Sequence, residues 1–265
     1  MIRKKRRIPL LPNLITTGNI FAGFYSIIHS IHGDFRRAAW AIVIGGIFDL
    51  FDGRIARLTN SQSEFGVQYD SLSDLCTFGF APAFLAYFWA LEPYGRVGWL
   101  GAFLFVVCAA LRLARFNVQG ATEEKEYFQG IPSPGAAGLV VATVLFHQEF
   151  WNHQHLTYRP AQILFVALTY FLALLMVSGV RFRSFKTFNI RGIRPFQGLV
   201  LGALIITMVA YSPELALFVM GYSYLSMGII ETAFVLRRKS ILPDDDDEAE
   251  ADAGDDENNV TVLPS

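Results

Sequence analysis

Residues 38–57 read Ala38-Ala39-Trp40-Ala41-Ile42-Val43-Ile44-Gly45-Gly46-Ile47-Phe48-Asp49-Leu50-Phe51-Asp52-Gly53-Arg54-Ile55-Ala56-Arg57. An uncharged run from Ala38 to Phe48 leads into two carboxylates and then two arginines. A carboxylate at bilayer depth costs at least ~2.5–3.5 kcal/mol on insertion scales, so a chain that keeps one there has a use for it. Thirteen residues after Arg57 a second pair begins, Asp70 and Asp74, in the text Gly66-Val67-Gln68-Tyr69-Asp70-Ser71-Leu72-Ser73-Asp74.

The composition around this stretch is that of a membrane protein. Of the 265 residues 53% are hydrophobic and 17% charged, against about 25% charged in soluble domains. Disordered, collagen-like and disulfide-framework chains are excluded. Cys76 and Cys108 lie in apolar text without metal-ligand spacing and read as buried small hydrophobes. The formal charge of −1 hides an asymmetry: residues 244–257 hold ten of the 23 acids, and the body before them carries 22 Lys and Arg against 13 acids. A basic rim on so oily a body points to anionic lipid head groups rather than nucleic acid. The text after the basic Arg3–Arg7 run contains Pro12 and Asn13 and no small-residue cleavage site, so no cleavable signal peptide is expected.

Apolar length and turn chemistry predict an all-α polytopic transmembrane bundle of about eight spans, near 11–31, 38–57, 70–90, 98–116, 134–151, 161–180, 197–212 and 214–236. The last two form a tight hairpin or one broken segment, parted by Ser212-Pro213-Glu214. With both termini cytoplasmic, 18 of the 22 basic residues fall inside, and Arg36, Arg37, Arg96 and Arg159 outside. Arg36-Arg37 is the weak point of that layout. Domain boundaries follow: a basic N-terminus (1–10), a core (11–196), a C-terminal helix pair (197–236) and a disordered acidic cytoplasmic tail (237–265).

Asp49 and Asp52 are spaced i, i+3, and Asp70 and Asp74 are spaced i, i+4, so each pair shares one helix face. Two antiparallel neighbours joined by a short turn would bring the four carboxylates together. Such like charges repel, and a hard divalent cation, Mg²⁺ or Mn²⁺, relieves that repulsion. Gly53 and Gly66 leave room for a ligand, and Arg57, one turn beyond the acids, suits a phosphate. The competing interpretation is an ion or proton relay, as in a transporter.

The spacing D-x2-D-G-x2-A-R-x8-G-x3-D-x3-D resembles the signature of the CDP-alcohol phosphotransferases, and the chain fits it without a gap. The upstream Leu11-Pro12-Asn13-Leu14-Ile15-Thr16 is similar to that family's first-helix entry. Arg112-Leu113-Ala114-Arg115-Phe116-Asn117, Phe128-Gln129-Gly130-Ile131-Pro132-Ser133-Pro134 and Ser184-Phe185-Lys186 resemble the membrane-embedded serine-using branch. The resemblance covers roughly residues 8–195. It implies attack of an alcohol on CDP-diacylglycerol with release of CMP, L-serine being the alcohol in that branch. It implies metal binding by Asp49, Asp52 and Asp70, with Asp74 completing the site and acting as general base. It places Asn13, Thr16, Gly53, Ala56 and Gly66 around the CDP-lipid, with Arg57 on the diphosphate, and it suggests a homodimer in the inner membrane.

Serine recognition needs a cation for the amino acid's carboxylate. Arg112 and Arg115, at the cytoplasmic end of the fourth span, suit that role or serve as positive-inside anchors. Ser133 is a candidate for the same pocket, and Lys186 for a lipid phosphate. His147, His153 and His155 read as interfacial or loop residues. The aspartate pattern alone does not separate serine from glycerol 3-phosphate, inositol phosphate or choline as acceptor.

Overall fold

The computed structural model describes residues 10–58, 63–119, 127–151, 155–183 and 195–239. The basic N-terminus, Lys186, His153 and the acidic run beyond residue 239 lie outside these residues, as do the side chains of Ala56 and Arg57.

Helix α1 (Leu10–Ile31) turns at His32-Gly33-Asp34, where Gly33 takes φ +77°, and the chain returns along it as α2 (Phe35–Leu58). Helix α3 (Glu64–Asp74) opens on a Ser63 cap whose Oγ accepts the Gly66 N–H at 3.0 Å. It runs on through a π-helical turn (Leu75–Phe80), α4 (Ala81–Ala86), a second π-helical turn (Tyr87–Leu91) and a 3-10 turn (Glu92–Tyr94). Pro93 has no N–H, so the Trp89 carbonyl four residues back loses its helical donor. The N–H of Leu156 donates to that carbonyl instead, at 3.4 Å. Gly95, at φ +51°, starts α5 (Gly95–Gln119). The apolar run Glu64–Val118 has 55 residues. Unbroken it would reach about 80 Å, far more than a bilayer core of about 30 Å. It folds back on itself instead, Gly79 packing against Ala109.

Strand β1 (Tyr127–Gln129) precedes α6 (Ser133–Trp151), and α7 (Arg159–Val177) ends near β2 (Arg181–Arg183). The strands pair antiparallel, Tyr127 opposite Arg183, a short ribbon added to the expected all-α bundle. Helices α8 (Pro195–Tyr211) and α9 (Pro213–Lys239) are separate, divided at Ser212. Pro213 suits a first helical position, and the Ser212 Oγ accepts the Leu215 N–H at 3.2 Å. Helix α9 packs on α6.

Helix thus occupies each of the expected stretches among the described residues. Pro12–Ile31, Glu64–Val118, Arg159–Val177 and Pro213–Thr232 are long and apolar enough to cross a membrane, and Gly198–Tyr211 is a shorter apolar helix. Helix α6 is the most enclosed, with Ala136, Ala137, Leu139, Val140, Val141, Val144 and Leu145 all buried. Leu14, Phe21, Leu164, Leu199 and Ile206 point outward, more than half exposed, as lipid-facing side chains do.

The end of the bundle where α1 finishes carries the arginines that strained the positive-inside layout. Arg36 Nη2 donates to Glu149 Oε2 on α6 and to Glu214 Oε1 on α9, both at 3.0 Å. Arg37 pairs with Asp34 at 3.1 Å. Both arginines are thus paired with acids of their own end.

Candidate active site

At the opposite end, where α1 begins, α1, α2 and α3 meet around the carboxylates. Asp49 on α2 and Asp70 and Asp74 on α3 each present an oxygen, and these oxygens all lie within 4.8 Å of one another. Asp52 is buried beside them, and Thr16 Oγ1 donates to its Oδ2 at 2.9 Å. The expected convergence of two helix faces is met by three acids in one group, with the fourth tied to α1 at its edge.

Helix α1 supplies the polar frame. Asn19, fully buried, donates from Nδ2 to Asp74 Oδ1 at 3.4 Å. Ser73 donates to the Thr16 carbonyl at 3.2 Å. Tyr69 and Thr17 share a hydrogen bond of 2.9 Å, and Thr17 donates to the Asn13 carbonyl at 2.7 Å. Below the acids, the π-helical turn that follows Asp74 drives Thr77 between two glycines. A Cβ on Gly23 would stand 2.6 Å from Thr77 Oγ1, and one on Gly45 would stand 2.5 Å from Thr77 Cγ2. Thr77 Oγ1 donates to the Asn19 carbonyl at 2.9 Å. Gly45 thus packs inside the chain, fixing the depth at which α3 lies on α1 and α2.

The other candidate residues fall into place around this frame. A Cβ on Gly53 would meet open space, and one on Gly66 would come within 3.8 Å of Asn13 Oδ1, so Gly66 and Asn13 are neighbours. Ala56 and Arg57 continue α2 beyond Gly53. Arg112 Nη1 donates to the Met176 carbonyl at 3.3 Å and Arg115 Nη2 to the Val177 carbonyl at 3.1 Å, so both cap the end of α7. Tyr224 of α9 lies within electrostatic reach of Arg112. The Gly130 loop meets the same helix end: Ile131 N–H donates to the Leu175 carbonyl at 3.3 Å, and a Cβ on Gly130 would stand 2.4 Å from the Met176 carbonyl oxygen. Ser133 opens α6, buried. The Arg112–Asn117 and Gly130–Pro134 stretches therefore converge on one place. At the far end His147 stacks on Trp151 and meets Trp89 in a T-shaped contact, and His155 makes a T-shaped contact with Phe35.

Asn19, Ser71, Thr77 and Asn117 were absent from the sequence-derived site. For Asn19 a signal was present: with Thr16 and Thr17 it forms a polar cluster inside a largely apolar span.

The acid group suits a hard cation. Asp70 Oδ1 is buried with no hydrogen-bond partner, and among the described residues no Lys or Arg pairs with the group. Oxygen-only donors at such spacing fit a divalent ion of the Mg²⁺ type.

Residues 9–178 match the family model described as CDP-alcohol phosphatidyltransferase. The chain belongs to that family. Its relatives include a CDP-diacylglycerol–serine O-phosphatidyltransferase of Helicobacter pylori, 39% identical over 86% of this chain and 92% of the relative. A Bacillus subtilis enzyme of the same name is 36% identical over 66% of this chain and 91% of its own. One of Saccharomyces cerevisiae is 38% identical over 49% of this chain and 52% of its own. The family match makes the protein a membrane transferase of phospholipid synthesis and places the acid pattern of 49–74 inside the matched region.

Proposed function

We propose that the chain transfers the phosphatidyl group of CDP-diacylglycerol to the hydroxyl of L-serine and releases CMP. The observation that carries this reading is the three-carboxylate group of Asp49, Asp70 and Asp74, built by the family's acid pattern and lacking a cationic partner among the described residues. Similarity over most of the chain to enzymes named for serine supports that acceptor.

The residues divide the work. Asp49, Asp70 and Asp74, with Asp52 beside them, would hold Mg²⁺ or Mn²⁺, which when bound offsets the charge on the diphosphate and on departing CMP. Asn13, Thr16, Gly53, Ala56, Arg57 and Gly66 bind the CDP-lipid: Gly53 borders open space, and Asn13 and Gly66 adjoin. A serine hydroxyl is a poor nucleophile at neutral pH and needs a base within reach. Asp74 takes its proton as the new oxygen–phosphorus bond forms and the bond to CMP breaks. Arg115 and Arg112 receive the serine carboxylate. A guanidinium carries five N–H donors, so a bond to an α7 carbonyl does not exhaust it. Ser133 borders the same region, and Lys186 meets a lipid phosphate.

The layout assigned to this reading is eight crossings of the inner membrane with both termini cytoplasmic. Residues 11–196 form the catalytic core, 197–236 an added helix pair and 237–265 a solvated acidic tail, and the enzyme works as a homodimer. The acyl chains then stay in the bilayer while nucleotide and serine enter from the cytoplasm.

The test is CMP release by purified protein in detergent with CDP-diacylglycerol and Mg²⁺ or Mn²⁺. L-serine is compared with glycerol 3-phosphate, inositol phosphate and choline. Release with L-serine alone is expected. Release with another alcohol alone would refute the acceptor assignment, and release with none would refute the chemistry and favour ion transport.

A further inference from the structure

The last turns of α5 are held from two sides. Arg112 and Arg115 reach the α7 carbonyls on one side. Asn117, two residues beyond Arg115 and so about 200° around the helix, faces another way. Its Nδ2 donates to Ser71 Oγ at 3.0 Å, with the Ser71 Oγ also 3.3 Å from Asn117 Oδ1. Ser71 donates to the Val67 carbonyl at 3.0 Å, which orients its lone pairs toward the amide. Ser71 lies directly after Asp70 and one turn before Leu75, inside the span that carries both α3 acids. Tyr69, Ser73 and Asp74 tie α3 to α1 instead. Ser71–Asn117 is a side-chain hydrogen bond that joins α3 to α5.

We propose that Asn117 is a positioning residue: through Ser71 it registers α3, with Asp70 and Asp74, against α5, with Arg112 and Arg115. The inference rests on the proposed reading that α3 carries the reacting end and α5 the acceptor end. The two ends belong to helices that pack mainly against other partners, α3 on α1 and α5 on α7. Further along, Gly79 of the turn that continues α3 packs against Ala109 of α5, so the bond fixes the last turns of α5, with the arginines, beyond that contact. Reaction geometry tolerates little play in their position, because a misplacement of about 1 Å can cost on the order of a hundredfold. The link therefore acts on the acceptor step and leaves the CDP-lipid contacts of α1 and α2 in place.

The experiment compares wild type, Asn117→Ala, Ser71→Ala, the double variant and the exchanged pair Ser71→Asn with Asn117→Ser. CMP release is measured over ranges of L-serine and CDP-diacylglycerol. Each single variant is expected to lose about tenfold in kcat/KM for serine, consistent with one lost hydrogen bond, while KM for CDP-diacylglycerol stays within about twofold. The double variant is expected to be no worse than the poorer single variant by more than about twofold, because both remove one interaction. Multiplying losses would overturn the proposal, as would a loss in Asn117→Ala with Ser71→Ala at wild-type activity, which would mean that Asn117 meets the acceptor itself. Equal losses toward both substrates would also overturn it. If Asn117→Ala does not yield folded protein, Ser71→Ala and the exchanged pair decide: loss in the first and recovery in the second support the link, and any other outcome refutes it. Wild-type protein that releases no CMP with serine defeats the functional reading instead, whatever the variants do.

Discussion

The two ends of the bundle treat their acids differently. At the far end Asp34, Glu149 and Glu214 each have an arginine partner, Arg37 for the first and Arg36 for the other two. At the site end Asp52 is tied to the Thr16 hydroxyl and Asp74 to the Asn19 amide, and among the described residues no arginine or lysine pairs with these two or with Asp49 and Asp70. The far end is a closed electrostatic unit that joins α2, α6 and α9. The site end has an excess of negative charge held in place by neutral donors. A framework that fixes acids without neutralising them keeps them available for a cation from outside.

The largest effect that would sharpen this contrast is expected from Asp74→Asn. Turnover should fall by a factor of about a thousand or more, while nucleotide binding remains measurable, because the base is lost and the nucleotide contacts are not. Unchanged CMP release would remove Asp74 as the base. Gly45→Ala comes next. Its added methyl would stand 2.5 Å from Thr77 Cγ2. Overpacking of this kind costs about 1–3 kcal/mol, so both thermal stability in detergent and turnover should drop. A variant with wild-type activity would show that the Thr77 wedge does not set the acid geometry.

Arg36→Ala should do the reverse of Asp74→Asn. It leaves Glu214, only 4% exposed, without its partner. The midpoint of thermal unfolding should fall by several degrees, roughly the effect of 1–2 kcal/mol, with turnover per folded molecule unchanged. A loss of turnover without a loss of stability would break the division between the two ends. The smallest effect is expected from deleting residues 244–265: CMP release should stay within about twofold, and a large loss would show that the acidic tail takes part in the reaction.

The parts that the sequence made legible are the local ones. Asp49 and Asp52, and Asp70 and Asp74, reveal their faces through helical periodicity, and apolar length revealed the helices. The role of Arg112 and Arg115 was less legible, because their carbonyl partners Met176 and Val177 lie more than 60 residues away. No periodicity announces that a guanidinium will meet the end of another helix. The ribbon was missed for the same reason: Tyr127–Gln129 and Arg181–Arg183 are three-residue strands that exist only through each other. Thr77 reads as an ordinary helix residue until Gly23 and Gly45 are seen on either side of it. The Arg36 pairs were not legible either, because Glu149 and Glu214 come to Arg36 from helices distant in sequence.

The most direct test of the contrast between the two ends is Mn²⁺ binding, followed by electron paramagnetic resonance on purified protein in detergent with a CDP-lipid present. Wild type and Arg36→Ala should bind the ion alike, and Asp70→Asn should weaken binding at least tenfold. Equal binding by wild type and Asp70→Asn, or a loss confined to Arg36→Ala, would contradict the assignment of the unpaired acids as the cation site.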